Sequence, residues 1–281
     1  MHNVHKIIQF LLKAPKFPGR DFLIERLPEW FISKAKGPVE IETLFGFKIW
    51  LDPTFDKNIE NVIYNRGVYE QGTVGVLKKF LKTGDTFVDA GANIGFLSLL
   101  AAEIVGPTGN VHAFEPYPAT VEILEQNKAL NNYSQIEIHS FALGNESGQQ
   151  TIFTENENRG GASIVNHSDG NGLMINVERL DTVEINSKVN VLKIDVEGYE
   201  FEVLKGAEQI IKTDRPYLIV EYSVDRNNTI SSDKLFHWLQ TLASYRLYKL
   251  KHGKERTSAL VEIKTVADLP VHDNIFCVPM S

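Results

Sequence analysis

Two carboxylates stand two residues apart in Lys193-Ile194-Asp195-Val196-Glu197-Gly198-Tyr199-Glu200, directly after the apolar run Val189 to Ile194. A short apolar run of this kind reads as a buried strand, so Asp195 sits at its end and Glu197 in the turn that follows. Both then face whatever binds beyond the strand end. A carboxylate there can take a proton from a reacting group when burial or a like-charged neighbour raises its pKa, or it can orient that group. Asp195 is the first candidate for this work and Glu197 the second, with Gly198 turning the chain so that the two cluster. Capping of the helix that begins near Phe201 is a structural role compatible with either. Glu221 ends a later strand, Pro216 to Tyr222, and adds a third carboxylate. Such oxygens suit Mg²⁺, which would orient and acidify a hydroxyl, but no close His or second Asp completes a shell and no metal ligands are assigned.

The second informative segment is Val88-Asp89-Ala90-Gly91-Ala92-Asn93-Ile94-Gly95, between a β-branched run and an Ala/Leu-rich helical stretch. Gly91 lets the backbone approach a ligand closely, and Gly95 allows tight contact where the helix starts. A dinucleotide turn would carry G-x-G-x-x-G. Here Ala92-Asn93 replaces the second close glycine, and Asp89 would repel a pyrophosphate. Glu115 follows 24 positions after Gly91, ending the next strand in Ala113-Phe114-Glu115-Pro116. An acidic residue there accepts both hydroxyls of a ribose. The pair favours an adenosyl ligand with a ribose and no pyrophosphate, and S-adenosylmethionine fits, its ammonium near Asp89.

The elements that must position these residues alternate. Strands are expected at Thr86 to Val88, Asn110 to Phe114, Ile136 to Phe141, Val189 to Ile194 and Pro216 to Tyr222. Helices are expected at Tyr69 to Leu81, Phe96 to Val105, Ala119 to Asn131, Phe201 to Ile211 and Leu235 to Leu242. This spacing indicates an α/β domain with a mostly parallel sheet. Tyr245 to Leu250 and Asn274 to Val278 close it as an antiparallel edge hairpin. Upstream, Val39 to Leu51 alternates as a hairpin turning at Phe45-Gly46. Thr154 to Gly172 is almost devoid of apolar residues and reads as a lid or as a solvated insertion, between flanks at Gln150 to Phe153 and Met174 to Val177 that pair with each other. His112 and His139 lie within strands and are read as packing residues, and Cys277 as core.

The 281 residues carry 29 Lys and Arg against 36 Asp and Glu, a net charge of −7, with 43% hydrophobic residues and one cysteine. That balance disfavours a basic nucleic-acid face, and a single cysteine excludes a disulfide scaffold or multi-cysteine metal site. The early apolar cluster Ile7 to Leu12 is too short to span a bilayer. A cytoplasmic protein is expected.

The segments Phe87 to Gly95, Ala113 to Pro116, Ala142-Leu143-Gly144, Lys193 to Glu200 and Val203-Leu204-Lys205-Gly206-Ala207 together resemble the FkbM family of S-adenosylmethionine-dependent methyltransferases, over roughly Tyr69 to Tyr222. The resemblance implies the Rossmann-like class I methyltransferase fold, a seven-stranded, mostly parallel sheet with helices on both faces. It also implies O-methylation of a saccharide or secondary metabolite, and so a small-molecule or glycan acceptor rather than nucleic acid. By position, Asp89, Gly91, Ala92, Asn93 and Gly95 would hold the methionine end. Glu115, with Pro116 beside it, would meet the ribose, Ala142 the adenine, and Glu70 the cofactor tail. Residues 69–281 would form the methyltransferase domain, with a polar loop insertion near 154–173. Residues 1–68 would be a helical and hairpin extension that caps the sheet or contributes to oligomers. A methyltransferase-like module without turnover and a dinucleotide-dependent oxidoreductase are the alternatives.

Overall fold

The computed structural model describes residues 35–153, 164, 172–223 and 232–280. The apolar cluster at 7–12 lies outside them, as does most of the polar loop. In chain order the elements are β1 (Val39–Glu42), β2 (Lys48–Leu51), α1 (Ile59–Arg66), α2 (Gln71–Phe80), β3 (Thr86–Ala90), α3 (Phe96–Val105), β4 (Asn110–Phe114) and α4 (Pro118–Asn131). There follow β5 (Ile136–His139), β6 (Ala142–Leu143), β7 (Gly148–Phe153), β8 (Gly172–Glu178), β9 (Val189–Ile194), α5 (Glu200–Gly206) and α6 (Glu208–Asp214). The chain ends with β10 (Tyr217–Ser223), α7 (Ser232–Ala243), β11 (Tyr245–Leu250), β12 (Leu260–Ile263) and β13 (His272–Pro279).

Among the described residues the main sheet has eight strands in the order β12-β11-β13-β10-β9-β3-β4-β5. The five from β10 to β5 run parallel, and β13, β11 and β12 are added by antiparallel pairing, so that β13 and β12 run against the others and β11 with them. The expected count of seven is therefore corrected by β12, whose four residues bury only Ile263 and leave almost no apolar pattern to read. The two closing strands do pair antiparallel, but not as the edge hairpin expected. β13 inserts between β10 and β11, and β12 takes the edge.

Strand residues divide by parity between two cores, because successive side chains leave a strand on opposite faces. Phe87, Val111, Val191, Ile219 and Phe276 pack with α2, α3 and α4. Val88, Leu192, Val220, Ile275 and Cys277 pack with α5, α6 and α7. Helices thus cover both faces. The β1–β2 hairpin joins the first core through Phe47, Ile49 and Leu51. It is fastened by the Asn127 carboxamide, which accepts from Trp50 N–H at 2.7 Å and donates to the Ile94 carbonyl at 2.9 Å.

Two expected elements end early for visible reasons. The third strand stops at His139, and Ala142-Leu143 instead runs parallel to β8 in a separate three-stranded sheet with β7. The helix expected over Phe201 to Ile211 is two helices, broken at Ala207. At that break Gly206 lies against the Gly144 carbonyl, where an added Cβ would meet the oxygen at 1.9 Å. The Leu-Gly and Gly-Ala pairs of the motif are thus a contact between two backbones.

Gly206→Ala is expected to destabilise the protein by about 1–3 kcal/mol through overpacking. Gly75→Ala, on an exposed position of α2 where a Cβ has only Thr257 Cγ2 at 3.8 Å nearby, should stabilise it by about 0.5–1 kcal/mol. Urea denaturation checks both, and equal midpoints for the two variants would contradict this packing.

Candidate active site

The carboxyl ends of β3, β4, β9 and β10 open into a cavity of about 660 Å³, within the usual range for small-molecule sites. Asp89, Gly91, Ala92, Asn93, Glu115, Pro116, Ala142, Asp195 and Glu197 all reach its wall, with Tyr69, Lys193, Glu221 and Lys254. Of the residues singled out in the sequence, Gly95 and Glu70 do not. Gly95 begins α3 with φ +92°, and a Cβ there would meet Leu124 Cδ1 at 2.3 Å. Glu70 is buried at the start of α2.

Gly91 is required by the fold as much as by any ligand. Its φ is +79°, and a Cβ would come within 1.8 Å of the Asp195 carbonyl oxygen. The turn after β3 and the end of β9 therefore touch backbone to backbone, and Asp195 N–H donates to the Ala90 carbonyl at 3.1 Å. Glu115 holds the same turn from the other side. Its two oxygens accept from the N–H groups of Asn93 and Tyr117, both at 3.0 Å. Burial pushes its carboxyl up to about 7 against those two hydrogen bonds.

Sequence reasoning missed two lysines that tie the acids together. Lys193 Nζ donates to the Gly91 carbonyl at 3.0 Å and lies 3.2 Å from Asp89 Oδ1 and 3.6 Å from Asp195 Oδ2. Burial alone would lower its pKa, but the facing carboxylates of Asp89 and Asp195 outweigh burial and hold it up. Asp89 and Lys193 are cross-strand partners of β3 and β9, and Asp89 Oδ2 also accepts from the Ser98 hydroxyl at 2.6 Å. Lys254, in the β11–β12 loop, reaches Glu221 at 2.7 Å and Glu70 at 2.9 Å. Glu70 in turn accepts from the Asn274 carboxamide at 3.0 Å. The signal for Lys193 was present: one lysine inside an otherwise apolar strand must be paired. Lys254 gave none, because a loop 60 residues later carries it.

The Asp195 and Glu221 carboxyl groups lie side by side, their oxygens within 4.8 Å. Burial and repulsion from Asp195 push the Glu221 carboxyl well up, so it keeps its proton. Burial opposes the charge on Asp195, but Lys193 and Lys254 overcome it and hold that carboxyl below its ordinary range. The raised pKa expected for Asp195 is thus found on its neighbour. Helix capping by Asp195 or Glu197 is not seen. Glu200 takes the turn instead, its Oε1 accepting from Val196 and Gly198 N–H at 3.2 and 2.9 Å. Glu197, at φ +52°, and Gly198, at φ +93°, bend the chain in the left-handed region. Asp195, Glu197 and Glu221 bring their oxygens within 4.8 Å of one another, but two of the three already bond or pair with ammonium groups.

Lys193→Met would strand the buried charges of Asp89 and Asp195, and about 3–5 kcal/mol of stability should be lost. Denaturant unfolding of the variant checks this; a loss under about 1 kcal/mol would mean the lysine does not hold the strand ends together.

Residues 89–250 match the family described as the Methyltransferase FkbM domain. Methyltransferase 1 of Beauveria bassiana is 32% identical over 148 residues, which is 44% of this chain and 59% of that protein. The hexuronic acid methyltransferase AglP of Haloferax volcanii is 30% identical over 203 residues, covering 70% of this chain and 81% of that protein. A crystal structure of an FkbM methyltransferase from Methylobacillus flagellatus aligns at a TM-score of 0.44 with 16% identity, over 79% of this chain and 55% of that one. The chain spans about 60% of the length of the first curated relatives it matches. The family match covers more than half of the sequence, and the chain belongs to the FkbM methyltransferase family.

Proposed function

We propose that the protein is an S-adenosylmethionine-dependent methyltransferase that methylates a hydroxyl of a saccharide or secondary metabolite. One observation carries this reading: a single cavity joins Glu115, at the end of β4, to the ionised Asp195 beyond β9. The chain fits the cofactor. Each Glu115 oxygen spends one acceptor site on a backbone N–H, which leaves further lone pairs for ribose hydroxyls. Ala92 and Asn93 line the part of the wall expected to meet the methionine end, and Ala142, Leu143 and Ile164 supply small and apolar surface for an adenine. With Glu221 neutral, three carboxylates, Glu70, Asp89 and Asp195, face two ammonium groups, and the net negative charge left over favours a cation. Bound here, the cofactor supplies a methyl group on a positive sulfonium.

Asp195 accepts a hydrogen bond from the acceptor hydroxyl and fixes its direction for in-line attack; its lowered pKa makes it an orienting group first, and it takes the proton only as the new C–O bond makes that hydroxyl strongly acidic. Glu221 borders Asp195 and is itself held by Lys254. No step of this scheme uses Mg²⁺: Lys193 and Lys254 already stand against Asp195 and Glu221. Glu70 acts through Lys254 rather than on the cofactor tail. The likeness to a hexuronic acid methyltransferase supports a saccharide acceptor.

Asp195→Asn should keep affinity for S-adenosylhomocysteine within about threefold and lose about 10²–10⁴-fold in turnover, the usual share of a positioned base. Unchanged turnover would remove Asp195 from the chemistry. Glu115→Ala should weaken S-adenosylhomocysteine binding about 10–100-fold, as expected for lost charged hydrogen bonds; wild-type affinity would refute the ribose assignment. Because Glu115 ionises near pH 7, affinity should rise between pH 6 and pH 8. Glu115→Gln should flatten that rise, and a profile identical in both proteins would show that another group is responsible.

A further inference from the structure

At the opposite end of the sheet from Lys254, β5 is the edge strand and pairs only with β4. Three side chains of these two strands converge on one face. His112 and Glu137 are cross-strand partners, and so are Phe114 and His139. Alternate residues of a strand share a face, so all four lie together. His112 Nδ1 is 3.2 Å from His139 Nε2. Glu137 Oε2 lies 3.5 Å from His112 Nδ1, and its Oε1 lies 3.8 Å from His139 Nε2. From this convergence we propose that His112, Glu137 and His139 bind a divalent transition-metal ion of the zinc type, which clamps β5 to β4.

The distances carry the argument. Zinc takes imidazole nitrogen and carboxylate oxygen at about 2.0–2.2 Å in a tetrahedron, so neighbouring ligand atoms lie about 3.3–3.5 Å apart. The nitrogen–nitrogen edge is already of this length, and the two nitrogen–oxygen edges need only a small rotation of Glu137. The imidazoles are also held in orientation. The His139 ring stacks on Phe114 at 4.3 Å and 10° and meets the edge of Phe141 at 5.6 Å. The His112 and His139 rings are nearly parallel, 19° apart. Both histidines are nearly buried while Glu137 is 62% exposed, so an ion enters from the carboxylate side and solvent completes the shell. Two imidazoles and a carboxylate select zinc, cobalt or nickel over magnesium or calcium.

The clamp also bears on the cavity. Glu115 N–H donates to the His139 carbonyl at 3.1 Å, so fixing His139 fixes the strand end that presents Glu115.

The test is calorimetric titration of the chelator-treated full chain with ZnCl₂, with Co²⁺ absorption as a report on geometry and the thermal midpoint as a report on the clamp. The wild type should bind one equivalent at this site, show the visible bands of tetrahedral Co²⁺ and unfold at higher temperature with the ion. Glu137→Ala, at an exposed position where folding is not at risk, should weaken binding at least tenfold and shrink the thermal shift. His139→Gln should abolish both. No saturable binding by the wild type, or binding undiminished in Glu137→Ala, would overturn the proposal.

Discussion

The Lys193 ammonium lies between the carboxylates of Asp89 and Asp195 and donates to the Gly91 carbonyl, all at the ends of two adjacent parallel strands. Charges this deep are stable only when partnered, so β3 and β9 must keep their register for the site to exist. The same requirement spreads outward. Asp195 lies beside Glu221 on β10, Glu221 pairs with Lys254, and Lys254 with Glu70 before α2. Asn274 on β13 closes the line by donating to Glu70 and to the Thr73 hydroxyl. Elements separated by up to 204 residues in sequence are thus joined through one chain of charged and polar contacts.

That chain explains which motif residues do chemistry and which support it. Gly91, Gly206 and Glu200 permit or hold close backbone turns. Asp89 and Lys193 neutralise each other. Asp195 and Glu197 face the cavity beyond β9, and Glu115 faces it from the end of β4. The proposed methyl transfer would use this arrangement, with an acceptor for a hydroxyl at one strand end and an anchor for a nucleoside at another.

The sequence disclosed this design unevenly. The β3 turn, Glu115 and the Asp195–Glu197 pair were legible because strand-ending acids next to glycines have a local signature. Short apolar runs placed the parallel strands. β12 was not legible, since one buried side chain in four makes no pattern. The insertion of β13 between β10 and β11 was hidden because order within a sheet is a long-range property. Lys254 and its partners came from three distant segments. The direction of the Asp195 pKa departs from expectation because Lys254 gives no local signal and because pairing of Lys193 with Asp195 depends on how β9 ends beside β3.

The cofactor is the centre of the account, and it can be tested on the wild-type protein without knowing the acceptor. Calorimetric titration with S-adenosylhomocysteine and, separately, with NADH sets the two adenosine ligands against each other. The account predicts saturable, one-to-one binding of S-adenosylhomocysteine in the micromolar range and none of NADH over the same range. Absence of S-adenosylhomocysteine binding, or preference for the dinucleotide, would contradict it.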